Sequence, residues 1–216
     1  WWQILTTKLP VFFQGVGTTV ELALCTAIFG TLLGIVVALL RMSRVKLLKV
    51  LAGAYIEFLR GTPLLVQVLI VFYGLPQMGV KLPRMTAGTV ALVINSAAYM
   101  AEIVRSGIQA IDGGQTEASR SLGMNGAQTM IYIILPQAIK NILPAIGNEF
   151  VSIIKESSIL YTIGIYELTY QANKLASTNF RYLETLTISA LIYFVLTFTA
   201  SRLLGMLERR MRRGDR

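Results

Sequence analysis

The sequence contains no histidine and a single cysteine, Cys25. The first absence removes the commonest general base and the commonest metal ligand, leaving few routes to an intramembrane hydrolase. The second excludes an intrachain disulfide, and because Cys25 lies in an apolar run it argues against a thiolate metal cluster. No Gly-x-x-x-x-Gly-Lys-Ser/Thr segment occurs, so the chain lacks a phosphate-cradling loop of the Walker type. Charge is scarce too. Of 216 residues, 14% are charged and 54% hydrophobic, a balance too apolar for an ordinary soluble domain. Trp1 and Trp2 do not form a positive region ahead of an apolar core, so no cleavable signal peptide is expected. The pair suits an aromatic belt at the outer membrane interface.

What the sequence does contain is a set of charge-free apolar stretches, at Leu22 to Leu40, Gly61 to Val80, Met85 to Ala101 and Thr185 to Ser201. Each is about as long as a bilayer-spanning helix requires. A fifth stretch, Ile142 to about Tyr166, is interrupted by Glu149, Lys155 and Glu156. The net charge of +9 would suit nucleic acid, but its placement favours a membrane. Arg41, Arg44, Lys46 and Lys49 follow the first span, and Arg209, Arg210, Arg212, Arg213 and Arg216 follow the last. By the positive-inside rule both clusters are cytoplasmic, and with five spans the amino terminus is outside. Arg105 and Arg120 fall inside on the same count, while Lys81, Arg84, Lys174 and Arg181 form a thinner outer set. No linker or repeat marks a second domain, so residues 1–216 read as one all-α membrane domain of five transmembrane helices.

The stretch Ser106 to Asn141 is too polar to cross the bilayer and too long for a turn. Gly113 and Gly114 signal a turn, after which Gln115 to Leu122 has helix-forming composition and Gly123 ends it in the left-handed conformation glycine tolerates. Glu117 is expected in the first turn, where it complements the helix dipole. Met130 to Ile142, punctuated by Pro136 and Pro144, is expected to lie against the inner face before re-entry.

Within this loop Glu117-Ala118-Ser119, three residues, Gly123, nine residues, Ile133-x-Leu135-Pro136 resembles the EAA loop of permease subunits in binding-protein-dependent ABC importers. Ser119 stands where that family usually has alanine. Arg60-Gly61-Thr62-Pro63-Leu64 and Lys155-Glu156-Ser157-Ser158-Ile159 resemble the polar amino-acid uptake branch, which more often shows aspartate and threonine at the positions of Glu156 and Ser157. The resemblance implies a type I importer-like fold in the cytoplasmic membrane, with Glu117, Ala118, Ser119 and Gly123 in a coupling helix that docks on the ATPase. It also implies two ATPase copies, a second permease chain (identical or a paralogue) and an extracytoplasmic substrate-binding protein. ATP and Mg would be bound by the ATPase, with no cofactor or metal on this chain. A mechanical joint needs a small-faced helix, which Ala118 and Ser119 supply.

Ionisable groups inside a bilayer usually face a partner or a watery cavity. At about 100° per residue Glu149, Ser152 and Glu156 share one helix face, whereas Lys155 points away. Asn95 and Tyr99, one turn apart near the middle of the third span, present a second polar face. Together these five residues form a candidate substrate site for polar, above all basic, amino acids. The other reading makes Glu149 and Glu156 structural partners of Lys155 or Arg60. Thr62 and Pro63 suit a helix start, with Thr62 as cap, or a gate. A secondary transporter driven by an ion gradient is the alternative function, its buried carboxylates then carrying protons or sodium.

Overall fold

The computed structural model describes residues 2–212, with side chains for 8–210. The sequence readings at Trp1, Trp2, Arg212, Arg213 and Arg216 therefore lie outside the described side chains. The helices are α1 (Trp2–Arg41), α2 (Lys46–Gly61), α3 (Leu64–Leu69), α4 (Leu75–Gln77), α5 (Arg84–Gln109), α6 (Gly113–Ser121), α7 (Gly126–Gln128), α8 (Leu135–Glu156), α9 (Leu168–Asn179) and α10 (Tyr182–Arg212). Wider π turns join α3 to α4 and α7 to α8, and a 3-10 segment, Ser157–Ile163, follows α8.

Four continuous columns are long and apolar enough to cross a bilayer: Lys8–Arg41, Arg84–Gln109, Gly126–Ile163 and Tyr182–Arg210. The fifth is a pair, Lys46–Gly61 and Leu64–Gln77, bent by 108° between them. Three boundaries differ from the sequence reading. The first span starts well before Leu22, because Lys8, Gln14 and Glu21 interrupt the hydropathy but not the helix. The second span is preceded by a helix rather than a loop. The buried Ala52, Ile56 and Leu59 of α2 recur at helical spacing, and intervening Lys49, Glu57 and Arg60 hide them in a composition count. Finally, Met130 to Ile142 is not a separate segment: it is part of the same helical column as Glu149.

α5 is the hub of the packing. Its buried face is built largely from alanines, among them Ala87, Ala91, Ala97, Ala98 and Ala101, which let neighbours approach closely. α1 meets it through two glycines four residues apart. A Cβ on Gly30 would stand 2.9 Å from Ser96 Oγ, and one on Gly34 would stand 2.5 Å from Met100 Cβ. At the other extreme, α10 leaves Leu191, Phe194, Val195 and Phe198 exposed, as expected of a helix facing lipid or another chain. Arg41 closes one end of the bundle, donating to the Lys49 carbonyl at 3.1 Å and standing 3.7 Å from Glu57, so α1 and α2 are tied where α1 ends.

Candidate substrate site and coupling helix

The 108° bend leaves the last carbonyls of α2 without helical partners, which hydrocarbon does not forgive. Gln67 supplies them. Its Nε2 donates to the Leu59 carbonyl at 2.8 Å, to the Thr62 carbonyl at 3.1 Å and to Thr62 Oγ1 at 2.9 Å. Asn95 Nδ2 in turn donates to Gln67 Oε1 at 2.9 Å, and approaches the Leu59 carbonyl at 3.5 Å. The sequence reading placed Asn95 near mid-span, but its amide is engaged by the break rather than left open. Thr62 is likewise the C-terminal cap of α2 and donates back to Phe58; Pro63 begins the next helix without a side-chain cap. Gln67 was missed in the sequence, where a glutamine inside a charge-free apolar run was its visible signal.

The bend also sets Arg60 at the end of α2, its guanidinium 5.4 Å from the centroid of the Tyr99 ring. On α8, Glu149, Ser152 and Glu156 are half-buried and Lys155 is exposed, as the helical spacing predicts. Neither carboxylate forms an ion pair with a cationic side chain among the described residues. Glu149 lies in electrostatic range of Glu156 and Arg60, beside the Ser96 hydroxyl. That hydroxyl is buried, and the Glu149 carboxylate is the polar group it faces. Three helices, α2, α5 and α8, thus bring Arg60, Tyr99, Ser96 and Glu149 to one region. Ser96 was not singled out in the sequence.

At the end of the bundle beyond α5, Asp112 caps α6 by accepting the Gly114 N–H at 2.7 Å. The helix therefore starts at Gly113, two residues before the composition suggests, and Glu117 falls in its second turn. It ends at Gly123, with φ of +85°. The Met124 N–H donates to the Ser119 carbonyl and the Gly123 N–H to that of Arg120, the paired closure a left-handed residue permits. Glu117 and Ala118 are exposed, but Ser119 is 4% exposed and faces inward, its hydroxyl 3.0 Å from that of Thr129. Of the expected small pair only Ala118 faces outward, beside Leu122, which is 84% exposed.

A third polar cluster lies toward the opposite end, centred on Glu167 in the segment between the columns that end at Ile163 and begin at Tyr182. Glu167 is completely buried at the start of α9. Its carboxylate accepts the Thr169 N–H at 2.8 Å, the Tyr170 N–H at 2.6 Å and the Tyr193 hydroxyl of α10 at 2.8 Å. Burial pushes the Glu167 carboxyl above its ordinary range, and these donors pull it back. Thr19 of α1 joins the cluster by accepting the Leu168 N–H at 3.2 Å.

Residues 30–213 match the family described as the inner membrane component of binding-protein-dependent transport systems. The chain belongs to that family. It is 40% identical over 209 residues to the arginine transport system permease protein ArtQ of Bacillus subtilis (strain 168), covering 96% of this chain and 95% of that protein. A chain in the crystal structure of an amino acid ABC transporter with histidines superposes with a TM-score of 0.92 at 51% identity, covering 95% and 96% of the two chains. A chain of the inward-facing MetNI methionine ABC transporter shares the fold at 17% identity, with a TM-score of 0.76. This permease is thus the multi-pass inner-membrane subunit of an ABC importer. It works with an ATPase and a substrate-binding protein and is not itself catalytic. Family membership tells against the ion-gradient alternative, and α6 occupies the coupling loop typical of such subunits.

Proposed function

We propose that this permease subunit moves amino acids with cationic side chains and holds them in transit between Glu149 and Glu156 on α8 and Arg60 on α2. The observation that carries this is a charge count: two carboxylates without ion-pair partners share one face of α8 among apolar helices, the Arg60 guanidinium lies in electrostatic range of Glu149, and the exposed Lys155, on another face, reaches Glu156 only at a distance. Arginine or lysine offers the complementary set, two cations and one carboxylate, whereas glutamine leaves one acid of the site unmatched. Charges that lose water are tolerable only when compensated, so the count acts as a filter. Ser152 and the buried Ser96 supply hydrogen bonds, and Tyr99 steadies Arg60 from its ring face. Asn95 serves by holding Gln67 and with it the bend that delivers Arg60. The equal likeness to the arginine permease ArtQ and to the probable glutamine permease GlnM of the same organism supports polar amino acids as the wider substrate class.

The rest of the assembly follows the coupling loop. Glu117, Ala118 and the exposed Leu122 meet the ATPase, Ser119 fastens α6 to the base of α8 through Thr129, and Gly123 allows the return. Two ATPase copies bind ATP and Mg, and this chain needs no cofactor or metal of its own. A second permease, identical or paralogous, completes the path, since five spans are too few to enclose one. The α6 end and the carboxyl terminus are cytoplasmic, as the Arg41 to Lys49 cluster indicates.

The test is selectivity. In the reconstituted complex, Glu149→Gln keeps the shape and removes one charge. Uptake of arginine should fall about tenfold, the loss of about 1.4 kcal/mol of differential interaction, while glutamine uptake changes far less. Equal losses for both substrates would instead assign Glu149 a structural role.

A further inference from the structure

The positive-inside rule leaves Arg84 unexplained, because it lies at the end of the bundle opposite α6. α5 runs 26 residues from Arg84 to Gln109, about 39 Å, so Arg84 stands at the far membrane interface. There a cleft of about 390 Å³ is lined by Thr18 of α1, Arg84 and Met85 of α5, and Gly164, Ile165 and Tyr166 of the segment before α9. Arg84 donates one N–H to the Gly164 carbonyl at 3.2 Å. The approach is close: Gly164 has φ of +74°, and a Cβ there would stand 2.8 Å from the guanidinium. This contact orients the guanidinium along the cleft wall and leaves its other donors uncommitted. No carboxylate among the described residues forms an ion pair with it. Tyr166, 55% exposed, stands at the same level, where amphipathic rings favour a membrane interface.

We propose that this cleft is a binding site for the phosphate of an anionic phospholipid, with Arg84 taking the phosphate and the apolar wall from Met85 and Ile165 taking the start of an acyl chain. The chemistry of the lining decides among occupants. No acidic residue faces the cleft, so an amino acid, or a phosphatidylethanolamine headgroup, would leave its ammonium unmatched. A free phosphate would satisfy Arg84 and leave the apolar wall to water. An anionic diester on an acyl glycerol fills both needs. The inference is independent of the substrate site, since none of its residues lies in this cleft.

The test uses the purified complete transporter in detergent, with phosphatidylglycerol retention measured by native mass spectrometry. Arg84→Gln should weaken phosphatidylglycerol binding about fivefold, as expected for one interfacial cation, and leave phosphatidylethanolamine unchanged. Lys81→Gln, on the neighbouring loop, should keep wild-type retention. Thr18→Trp fills the cleft without altering charge and should also expel the lipid; it serves alone if Arg84→Gln fails to assemble. Wild-type retention in whichever of Arg84→Gln and Thr18→Trp assembles would overturn the proposal. So would displacement of the lipid by inorganic phosphate, which would mark a free-anion site, or by arginine, which would place the cleft on the transport path.

Discussion

Glu156 closes α8 and Glu167 opens α9, eleven residues later, yet the two acids live differently. Glu167 is wholly buried and saturated: two backbone N–H groups and a tyrosine hydroxyl hold it, and the effect is to pin α9 against α1 and α10. Glu149 and Glu156 are only half-buried and form no ion pair, and the one polar side chain beside Glu149 on α5 is the Ser96 hydroxyl. Burial alone would rank Glu167 as the more interesting acid. Unmet valence ranks the pair on α8 higher, because a satisfied carboxylate has nothing left to offer a substrate.

If that distinction is right, mutations in the two regions should fail in different ways. The largest effect is expected at Glu167→Leu, which removes the acceptor of two part-buried N–H groups and leaves the Tyr193 hydroxyl only Thr169 Oγ1 as a partner. Thermal unfolding of the complex should show a loss of roughly 3 kcal/mol, with the ratio of arginine to glutamine uptake intact among molecules that survive. A changed ratio would erase the contrast between the two regions. Gly123→Val comes next. A β-branched residue in the left-handed conformation costs about 1 to 2 kcal/mol, so the end of α6 should shift. Uptake should then drop while ATP hydrolysis persists, for every substrate alike; normal uptake in an assembled complex would remove α6 from the coupling role. The smallest effect is at Tyr193→Phe, which deletes one of Glu167's donors. A stability loss of about 1 kcal/mol in the same unfolding assay, without change in selectivity, is expected.

Much of this was legible in the sequence because each signal was local. The shared face of Glu149, Ser152 and Glu156 depends only on helical periodicity, and Gly123 at the end of α6 only on backbone sterics. The misreadings came from two sources. Hydropathy treats a helix as an average, so the polar residues of α1 and α2 hid continuous helices whose buried stripes are regular. Hydrogen bonds between distant segments have no local trace. Asn95 reads as open until Gln67 and the bend are known, and Ser119 reads as a docking surface until Thr129 is found behind it. Arg60 shows the reverse: weighed in the sequence as an ion-pair partner, it is brought by the 108° bend to Tyr99 and into range of Glu149.

The central claim is that the membrane domain itself grips a cationic amino acid. Equilibrium binding of labelled arginine to the purified complex, without its substrate-binding protein, tests this most directly. Wild type should bind arginine saturably, with lysine competing better than glutamine, and the paired substitution Glu149→Gln with Glu156→Gln should weaken binding by well over about tenfold, two charge losses combined. A complex that transports arginine yet shows no saturable binding, or binds equally well with both acids replaced, would contradict the claim and leave a path that never holds its cargo.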